Sequence, residues 1–282
     1  MKKSILFWFL AVLITLGTAH FQRFTGPTYP LKGSVVIDSK LIRYKFDRSH
    51  GGQDNHVVQI LTNDPTLLGV IEWKRYKTDD PWTISHMTYE NGYLRGELPG
   101  QPPAGKLEYR LMMRDGQNGN GVQPVPKDRN VVIRFKGTVP GWVLIPHIIG
   151  MFGALLLSAR TGLETASSAP KFKRLTLWTV GLLTVGGMIF GPIVQKYAFD
   201  AFWTGFPFGT DLTDNKTLIA WLAWLVALFA VYRLRSPKRW VFGASLVTFV
   251  IFLIPHSMLG SEIDYKKLDE QKRAVEVDQV KR

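Results

Sequence analysis

Long apolar runs and short alternating runs occupy different parts of this 282-residue chain. One apolar run covers residues 4–16 and four more follow Pro140, whereas residues 29–136 carry charges throughout. Apolar runs of about 20 residues are typical of membrane-spanning helices, and short alternating runs are typical of strands. The pattern predicts an α+β membrane protein with four parts: an N-terminal anchor or signal peptide (1–20), an external β domain (29–137), a four-helix bundle (138–258) and a charged tail (259–282).

The first apolar run follows Lys2 and Lys3 and precedes the small residues Gly17, Thr18 and Ala19, which signal peptidase accepts. We expect an uncleaved anchor, with a cleaved signal peptide as the alternative. Both place the next segment outside the cytoplasm.

The β domain is predicted from eight short runs that alternate apolar and polar residues, separated by turn signals such as Asn-Asp-Pro, Asp-Asp-Pro and Glu-Asn-Gly. The runs are GSVVID, LIRYKF, HVVQIL, LGVIEWKRY, WTISHMTY, GYLRGELP, KLEYRLMM and NVVIRFKG. Strands of this length and spacing favour an antiparallel β-sandwich.

Residues 68–115 also resemble extracytoplasmic fibronectin-III or immunoglobulin-like modules. The resemblance lies in a strand ending near Arg75, then Trp82, a strand at Gly92-Tyr93, and Pro-Pro-Ala-Gly leading into Leu-Glu-Tyr at 107–109. It implies the fold and no ligand, since such modules serve as spacers and as docking surfaces.

The four later apolar runs, 142–158, 175–193, 218–234 and 240–255, predict four further spans, five in all with the anchor. Cations gather in two of the connections: Arg160, Lys171, Lys173, Arg174, Arg233, Arg235, Lys238 and Arg239. Cytoplasmic loops are enriched in Lys and Arg, so both connections are assigned to the cytoplasm together with Lys2 and Lys3. This topology makes the β domain, residues 197–216 and the tail external, in the inner membrane of a bacterium.

Residues 197–216, YAFDAFWTGFPFGTDLTDNK, are denser in aromatic residues, glycine and acids than an ordinary connection. Aromatic rings favour the membrane interface, and unpaired carboxylates are excluded from hydrocarbon. We therefore expect this aromatic loop to lie on the outer membrane surface.

The tetrapeptide Leu-Ile-Pro-His occurs twice, ending at His147 and at His256. The predicted topology places both imidazoles at external helix ends, at the depth of the aromatic loop. Two imidazoles facing each other suit the axial positions of a haem iron, and an aromatic loop suits the face of a porphyrin. Another metal or a proton relay fits the same residues, and the simplest alternative is that these histidines cap helix ends or bind lipid headgroups.

The aromatic loop resembles the external tryptophan-rich loop of cytochrome c assembly proteins that handle haem. Trp203 to Asp211, then Asn215-Lys216-Thr217 and Trp221, carry this resemblance. It implies that His147 and His256 ligate the iron of haem b, that Trp203, Phe206 and Phe208 stack on the porphyrin, and that Asp211 belongs to the site. The whole chain also resembles an uncharacterised bacterial membrane family with the same layout, which implies no activity.

Several other residues have structural interpretations. Gly150, Ala154 and Ser158 recur at helical spacing, and Gly187 and Gly191 form a GxxxG pattern, so both sets are expected to pack against neighbouring helices. Pro192 is expected to kink or end the third span. Thr213 or Asp214 is expected to cap the next helix.

The formal net charge of +13 adds little evidence for a nucleic-acid partner, because many of the cations flank apolar runs. The absence of cysteine excludes disulfides, thiolate metal sites and the CxxCH attachment of haem. The sequence has no GxSxG, P-loop or HExxH motif, so a non-enzymatic role is favoured. His50, Asp54 and His56 fall in a segment that we interpret as an exposed loop, with weak metal binding as the alternative.

Two functions remain. The first is a haem-associated or redox-assembly factor on the external face. The second is a non-catalytic membrane component, in contact with lipids, whose β-sandwich docks another envelope protein.

Overall fold

The computed structural model describes residues 2–37, 39–116, 121–255, 260 and 262–280. It has two compact units: a helical unit, Met1–Pro27 with Val139–Ser261, and a β unit, Thr28–Thr138 with Glu262–Arg282. The predicted mixture of helices and sheets is therefore confirmed.

The described residues of the helical unit form five helices: α1 (Lys2–Thr25), α2 (Gly141–Glu164), α3 (Phe172–Phe199), α4 (Leu212–Arg233) and α5 (Lys238–Leu253). The helices α1 to α4 are long and apolar enough to cross a membrane. The fifth predicted span, α5, has 16 residues. At a rise of 1.5 Å per residue it extends about 24 Å, which is shorter than a hydrocarbon core of about 30 Å.

Helix α3 changes its winding midway. Residues Phe172–Leu182 are α-helical, Leu183–Phe190 form a π-helix, and Gly191–Phe199 are α-helical again. Of the two outcomes expected at Pro192, a kink or an end of the helix, the end is not observed, because the helix continues to Phe199. Pro192 lies in the first turn of the last segment, where a missing N–H is tolerated, and the wider winding directly precedes it.

Small residues bring α2 and α3 together. A Cβ built on Gly150 would lie 2.6 Å from the Gly186 Cα, so these two backbones are in direct contact. Ala154 and Ser158, on the same face of α2, are fully buried. In lipid no hydrophobic driving force brings helices together. Small residues let apolar helices associate there, because they allow the backbones to pack closely.

The core of the helical unit is centred on Trp224 of α4, which is fully buried. The Trp224 Nε1–H donates to Thr248 Oγ1 at 2.9 Å, and the Thr248 hydroxyl donates to the Ala244 carbonyl at 2.8 Å. The Trp224 N–H and the Thr248 hydroxyl both have acceptors, so the buried indole is held between α4 and α5 without an unsatisfied donor.

The β unit contains eleven strands and one helix among its described residues. The strands are β1 (Leu31–Ile37), β2 (Lys40–Phe46), β3 (Ser49–Gly51), β4 (His56–Leu61), β5 (Leu67–Arg75), β6 (Thr83–His86), β7 (Thr88–Glu90), β8 (Tyr93–Leu98), β9 (Lys106–Asp115), β10 (Gln123–Val125) and β11 (Val131–Lys136). The helix is α6 (Tyr265–Val280).

These strands form three sheets, β1-β2, β4-β8-β7, and β3-β11-β9-β5-β6 with β10 added to β9. Long β9 is the centre of the largest sheet, and its inward side chains, among them Leu107, Tyr109 and Leu111, are fully buried. Side chains from all three sheets meet in one apolar core. The sandwich arrangement itself stays a prediction.

Each predicted run contains an observed strand, but β3 and β10 were not predicted. The β3–β11 pair is parallel, with His50 opposite Phe135, so the expectation of a wholly antiparallel domain is wrong. The run WTISHMTY divides at Met87 into β6 and β7, and these strands belong to different sheets.

Candidate functional site

The helical unit encloses a cavity of about 330 Å³ between α1, α2, α3, α4 and the aromatic loop. Its volume lies at the lower end of the range for small-molecule pockets, and its lining is mostly apolar. The polar side chains that line it are Thr18, Gln22, His147, Gln195, Asp211, Thr213, Asp214 and Thr217. Three residues predicted for the site, His147, Trp203 and Asp211, are thus brought to one cavity from distant parts of the sequence.

His147 lines the cavity from the second turn of α2. Its Nδ1 lies 2.8 Å from the Gly186 carbonyl oxygen in the π-helical segment of α3. A carbonyl only accepts, so Nδ1 must carry the ring proton. The Nε2 of the neutral ring therefore keeps its lone pair, and the ring is oriented by the backbone of a neighbouring helix.

Asp214 holds the aromatic loop against α4. Its Oδ2 accepts from the backbone N–H of Thr204 at 2.7 Å and from that of Gly205 at 3.0 Å. The adjacent Asn215 accepts the N–H of Phe206 at 2.7 Å through Oδ1. Consecutive loop amides are thereby satisfied by side chains of the first turn of the next helix, which explains an ordered loop without regular structure.

Asp211, and not Thr213 or Asp214, caps α4. The Asp211 Oδ1 accepts the N–H of Thr213 at 2.7 Å and that of Asp214 at 3.4 Å. A carboxylate in this position accepts from first-turn N–H groups that have no partner within the helix. Its negative charge is also stabilised by the positive end of the helix dipole. The expectation of a side-chain cap was correct, but the capping residue lies two or three positions earlier.

The aromatic residues predicted to contact a porphyrin separate into two groups. Trp203 lines the cavity, and its Nε1–H donates to the Phe206 carbonyl at 3.0 Å. Phe206 and Phe208 are 69% and 83% exposed, and within the described loop they point away from the cavity lining. As the chain is arranged here, only Trp203 of the three can contact a ligand in the cavity.

His256 lies outside the described residues, so the structure gives no distance between it and His147. The two residues that precede it are fixed. The Lys216 ammonium donates to the Ile254 carbonyl at 2.8 Å and to the Pro255 carbonyl at 3.3 Å. Gln22 of α1 donates to the Phe252 carbonyl at 2.6 Å. The last helical residues of α5 are therefore anchored next to the cavity-lining Gln22.

Sequence reasoning missed Gln22 and Gln195. Gln195 donates to Thr204 Oγ1 at 2.6 Å, so it positions the loop as well as lining the cavity. Gln22 lies near the end of α1 and Gln195 near the end of α3, and an uncharged polar residue there in an otherwise apolar helix was an available signal.

The segment of the β unit that contains His50 and His56 also differs from its prediction as an exposed loop. His50 lies in β3 and is partly buried, and His56 begins β4 and is 9% exposed. The interpretation of both histidines as residues of an exposed loop is therefore wrong. Their rings are 5.1 Å apart, whereas Asp54 between them is in the exposed turn.

No group of three or more His, Asp or Glu side chains in the described part of the chain is arranged to hold a metal ion. A search against protein-family models and a search of curated proteins both gave no match.

Proposed function

We propose that this protein is an integral membrane protein of the bacterial envelope that binds haem b in the cavity of its helical unit, with His147 as an iron ligand. The observation that carries the proposal is the His147–Gly186 hydrogen bond beside the cavity. Histidines that ligate metals nearly always donate their other ring N–H to a carbonyl or carboxylate, which fixes the ring and makes the free nitrogen more basic.

The proposed topology is supported by contacts at the other end of the helical unit. Arg160, near the end of α2, makes a 2.5 Å ion pair with Glu164 and lies over the rings of Phe7 and Trp8 in α1. The Lys238 ammonium lies 3.4 Å from the Ser167 carbonyl. The basic connections and the start of α1 thus gather at the end remote from His147, which suits a cytoplasmic face.

The residues around the cavity fit haem in two respects. The lining is mostly apolar, as a porphyrin requires, and a neutral imidazole with a free Nε2 is the common axial ligand. Asp211 and Asp214 fit least, because carboxylates repel haem propionates. When bound, haem would supply one-electron redox chemistry or be held for transfer to another protein.

Within such a site the protein's own residues have separate tasks. His147 binds through Nε2 while Gly186 holds Nδ1. Trp203 covers the external side of the cavity, and Asp214 keeps the loop in place through Thr204 and Gly205. The loop thereby limits access of water to the cavity.

Optical spectroscopy of the full-length protein, purified in detergent from cells supplied with haem, tests the proposal. The wild type is expected to show a Soret band, and His147→Ala is expected to lose most of it. His86→Ala, which removes an exposed histidine of β6, is the matched control and should keep the band. His256→Ala should change the spectrum in the way expected for loss of one of two axial ligands.

A Soret band of wild-type strength in a folded His147→Ala protein would refute the assignment. Circular dichroism shows whether that variant is folded, and His147→Met, which retains a possible iron ligand, gives a second measurement. The absence of haem from the wild type would favour the alternative function, docking of another envelope protein by the β unit.

A further inference from the structure

His50 and His56 face each other with the same ring nitrogen. The two Nδ1 atoms are 3.2 Å apart, and the ring planes meet at 67°. His50 also packs edge-on against Phe135 of β11, with ring centroids 5.3 Å apart. The pair is therefore fixed by β3, β4 and β11 together, and not by a mobile turn.

Asp54 determines which nitrogen of His50 carries the proton. The His50 Nε2 lies 3.3 Å from Asp54 Oδ1, and a carboxylate only accepts, so Nε2 carries the hydrogen. This leaves a lone pair on His50 Nδ1, directed at His56. A carboxylate that accepts one ring N–H, while the other ring nitrogen keeps its lone pair, is the arrangement found at metal-binding histidines.

The distance between the two nitrogens is close to the distance that a tetrahedral ion requires. With metal–nitrogen bonds of about 2.0–2.1 Å, a tetrahedral ion separates two ligand nitrogens by about 3.3–3.4 Å. A square-planar ion separates neighbouring nitrogens by about 2.9 Å. The observed 3.2 Å is closer to the tetrahedral value.

We propose that the β unit binds one Zn²⁺ ion between His50 Nδ1 and His56 Nδ1, with Asp54 as the residue that positions His50. Water supplies the other coordination positions, because no third His, Asp or Glu joins the pair among the described residues. Binding requires the His56 proton to move from Nδ1, where it bonds His50 in the metal-free pair, to Nε2.

Charge at the site agrees with this assignment. Burial lowers the pKa of His56, and the neighbouring His50 lowers it further, whereas Asp47 and Asp54 raise it. Zn²⁺ binds the neutral form of an imidazole, which is the form that burial favours at His56. The pKa of Asp54 is lowered by its own backbone N–H and then by His50.

Calorimetric titration of the tag-free, full-length protein with Zn²⁺ tests the site. His50→Ala and His56→Ala should each bind one Zn²⁺ fewer than the wild type, and His86→Ala should bind the same number. Asp54→Asn should retain the stoichiometry but bind about 10- to 100-fold more weakly, the usual effect of losing a residue behind a metal ligand. Repeating the titration in His147→Ala separates this site from the proposed haem site.

Two results would overturn the proposal. One is an equal Zn²⁺ stoichiometry in the wild type and in both histidine variants, which would mean that the pair only shares a hydrogen bond. The other is the absence of tetrahedral Co²⁺ absorption in the wild type when Co²⁺ replaces Zn²⁺. If His56→Ala does not fold, because that ring is buried, His50→Ala and the Co²⁺ spectrum decide the question.

Discussion

Arg75 of β5 donates to both carboxylate oxygens of Asp269 in α6, from Nη1 and from Nη2, each at 2.8 Å. The same guanidinium donates through Nε to Asp80 at 2.6 Å. A planar guanidinium matches a carboxylate with two parallel bonds, so this pair fixes the direction of α6 as well as its position on β5.

Replacing Asp269 with Asn should loosen α6 without unfolding the β unit, because one of the two parallel bonds and the charge are lost. We expect about a two- to fivefold increase in hydrogen exchange of α6 amides, since the pair is partly exposed and screened by solvent. Asp79→Asn is the control: its 3.9 Å contact with Lys266 joins two highly exposed side chains, so exchange should not change. Equal exchange in all three proteins would contradict this role of Arg75.

Tyr265 gives α6 a pH-dependent attachment. Its hydroxyl accepts the Lys106 N–H at 2.9 Å and lies 3.0 Å from the Lys106 carbonyl, to which it donates. Burial raises the pKa of Tyr265 to about 12, while nearby Arg75 and the Lys106 amide lower it. At neutral pH, Tyr265→Phe should cost about 1 kcal/mol, because the Lys106 amide loses a partner.

The sign of the pH effect follows from the raised pKa. The folded state favours the neutral phenol, so its contribution is complete below the unfolded pKa of about 10 and is lost as pH rises toward 12. The stability difference between wild type and Tyr265→Phe should therefore shrink between about pH 10 and 12. Chemical denaturation followed by near-ultraviolet circular dichroism measures this difference, and a constant value across the range would exclude Tyr265 as the titrating group.

Contact between Gly150 and Gly186 predicts a strong effect of one methyl group. Gly150→Ala would place a Cβ 2.6 Å from the Gly186 Cα, so α2 and α3 must separate. Overpacking of this kind costs about 1–3 kcal/mol and should lower the thermal midpoint in detergent. Gly181→Ala, on the same α3, meets no atom of the described structure within 4 Å and should be neutral. A neutral Gly150→Ala would show that the helices are less closely packed than described.

Asp214 should decide whether the aromatic loop stays closed. Asp214→Ala removes the acceptor for the Thr204 and Gly205 amides, and buried amides without a partner cost about 1–3 kcal/mol. We expect faster hydrogen exchange at residues 204–206 with little change in α2. Asp200→Asn is the control. Asp200 is an exposed acid of the same loop that pairs with Lys196 of α3, so this change should leave the exchange at 204–206 unaltered.

The proposed topology can be tested directly because the natural chain contains no cysteine. A membrane-impermeant maleimide applied to intact spheroplasts should label Phe208→Cys, at an exposed position of the aromatic loop. Ser168→Cys, in the basic connection between α2 and α3, should be labelled only after lysis. The reverse pattern would invert the predicted sides and place the cavity at the cytoplasmic face.

The sequence predicted most of the β strands because alternation directly reports which residues face a core. It did not predict β10, whose three residues include Pro124 and are too few to show a period. It also did not predict β3, since Ser-His-Gly reads as a turn and its pairing with β11 involves residues more than 80 positions away. Local patterns carry no information about such pairings.

The candidate site was predicted in part for a similar reason. His147, Trp203 and Asp211 share a predicted membrane depth, and depth alone brought them near one another in the prediction. Which loop aromatics face inward could not be predicted, because that depends on the bonds from Asp214 and Asn215 to loop amides. Likewise, the role of Gly186 could not be predicted, because the group that contacts His147 is a backbone carbonyl, which every residue has.

The π-helical segment Leu183–Phe190 makes the middle of α3 a place where chain length can vary. Such a segment accommodates an inserted residue through wider turns, while the helix on each side keeps its orientation. A chain shortened by one residue here would therefore rebuild an ordinary helix and still deliver Gln195 and Phe199 to the cavity. It would lose the backbone arrangement that presents the Gly186 oxygen to His147, so the π-helical winding orients an imidazole as well as packing the helix.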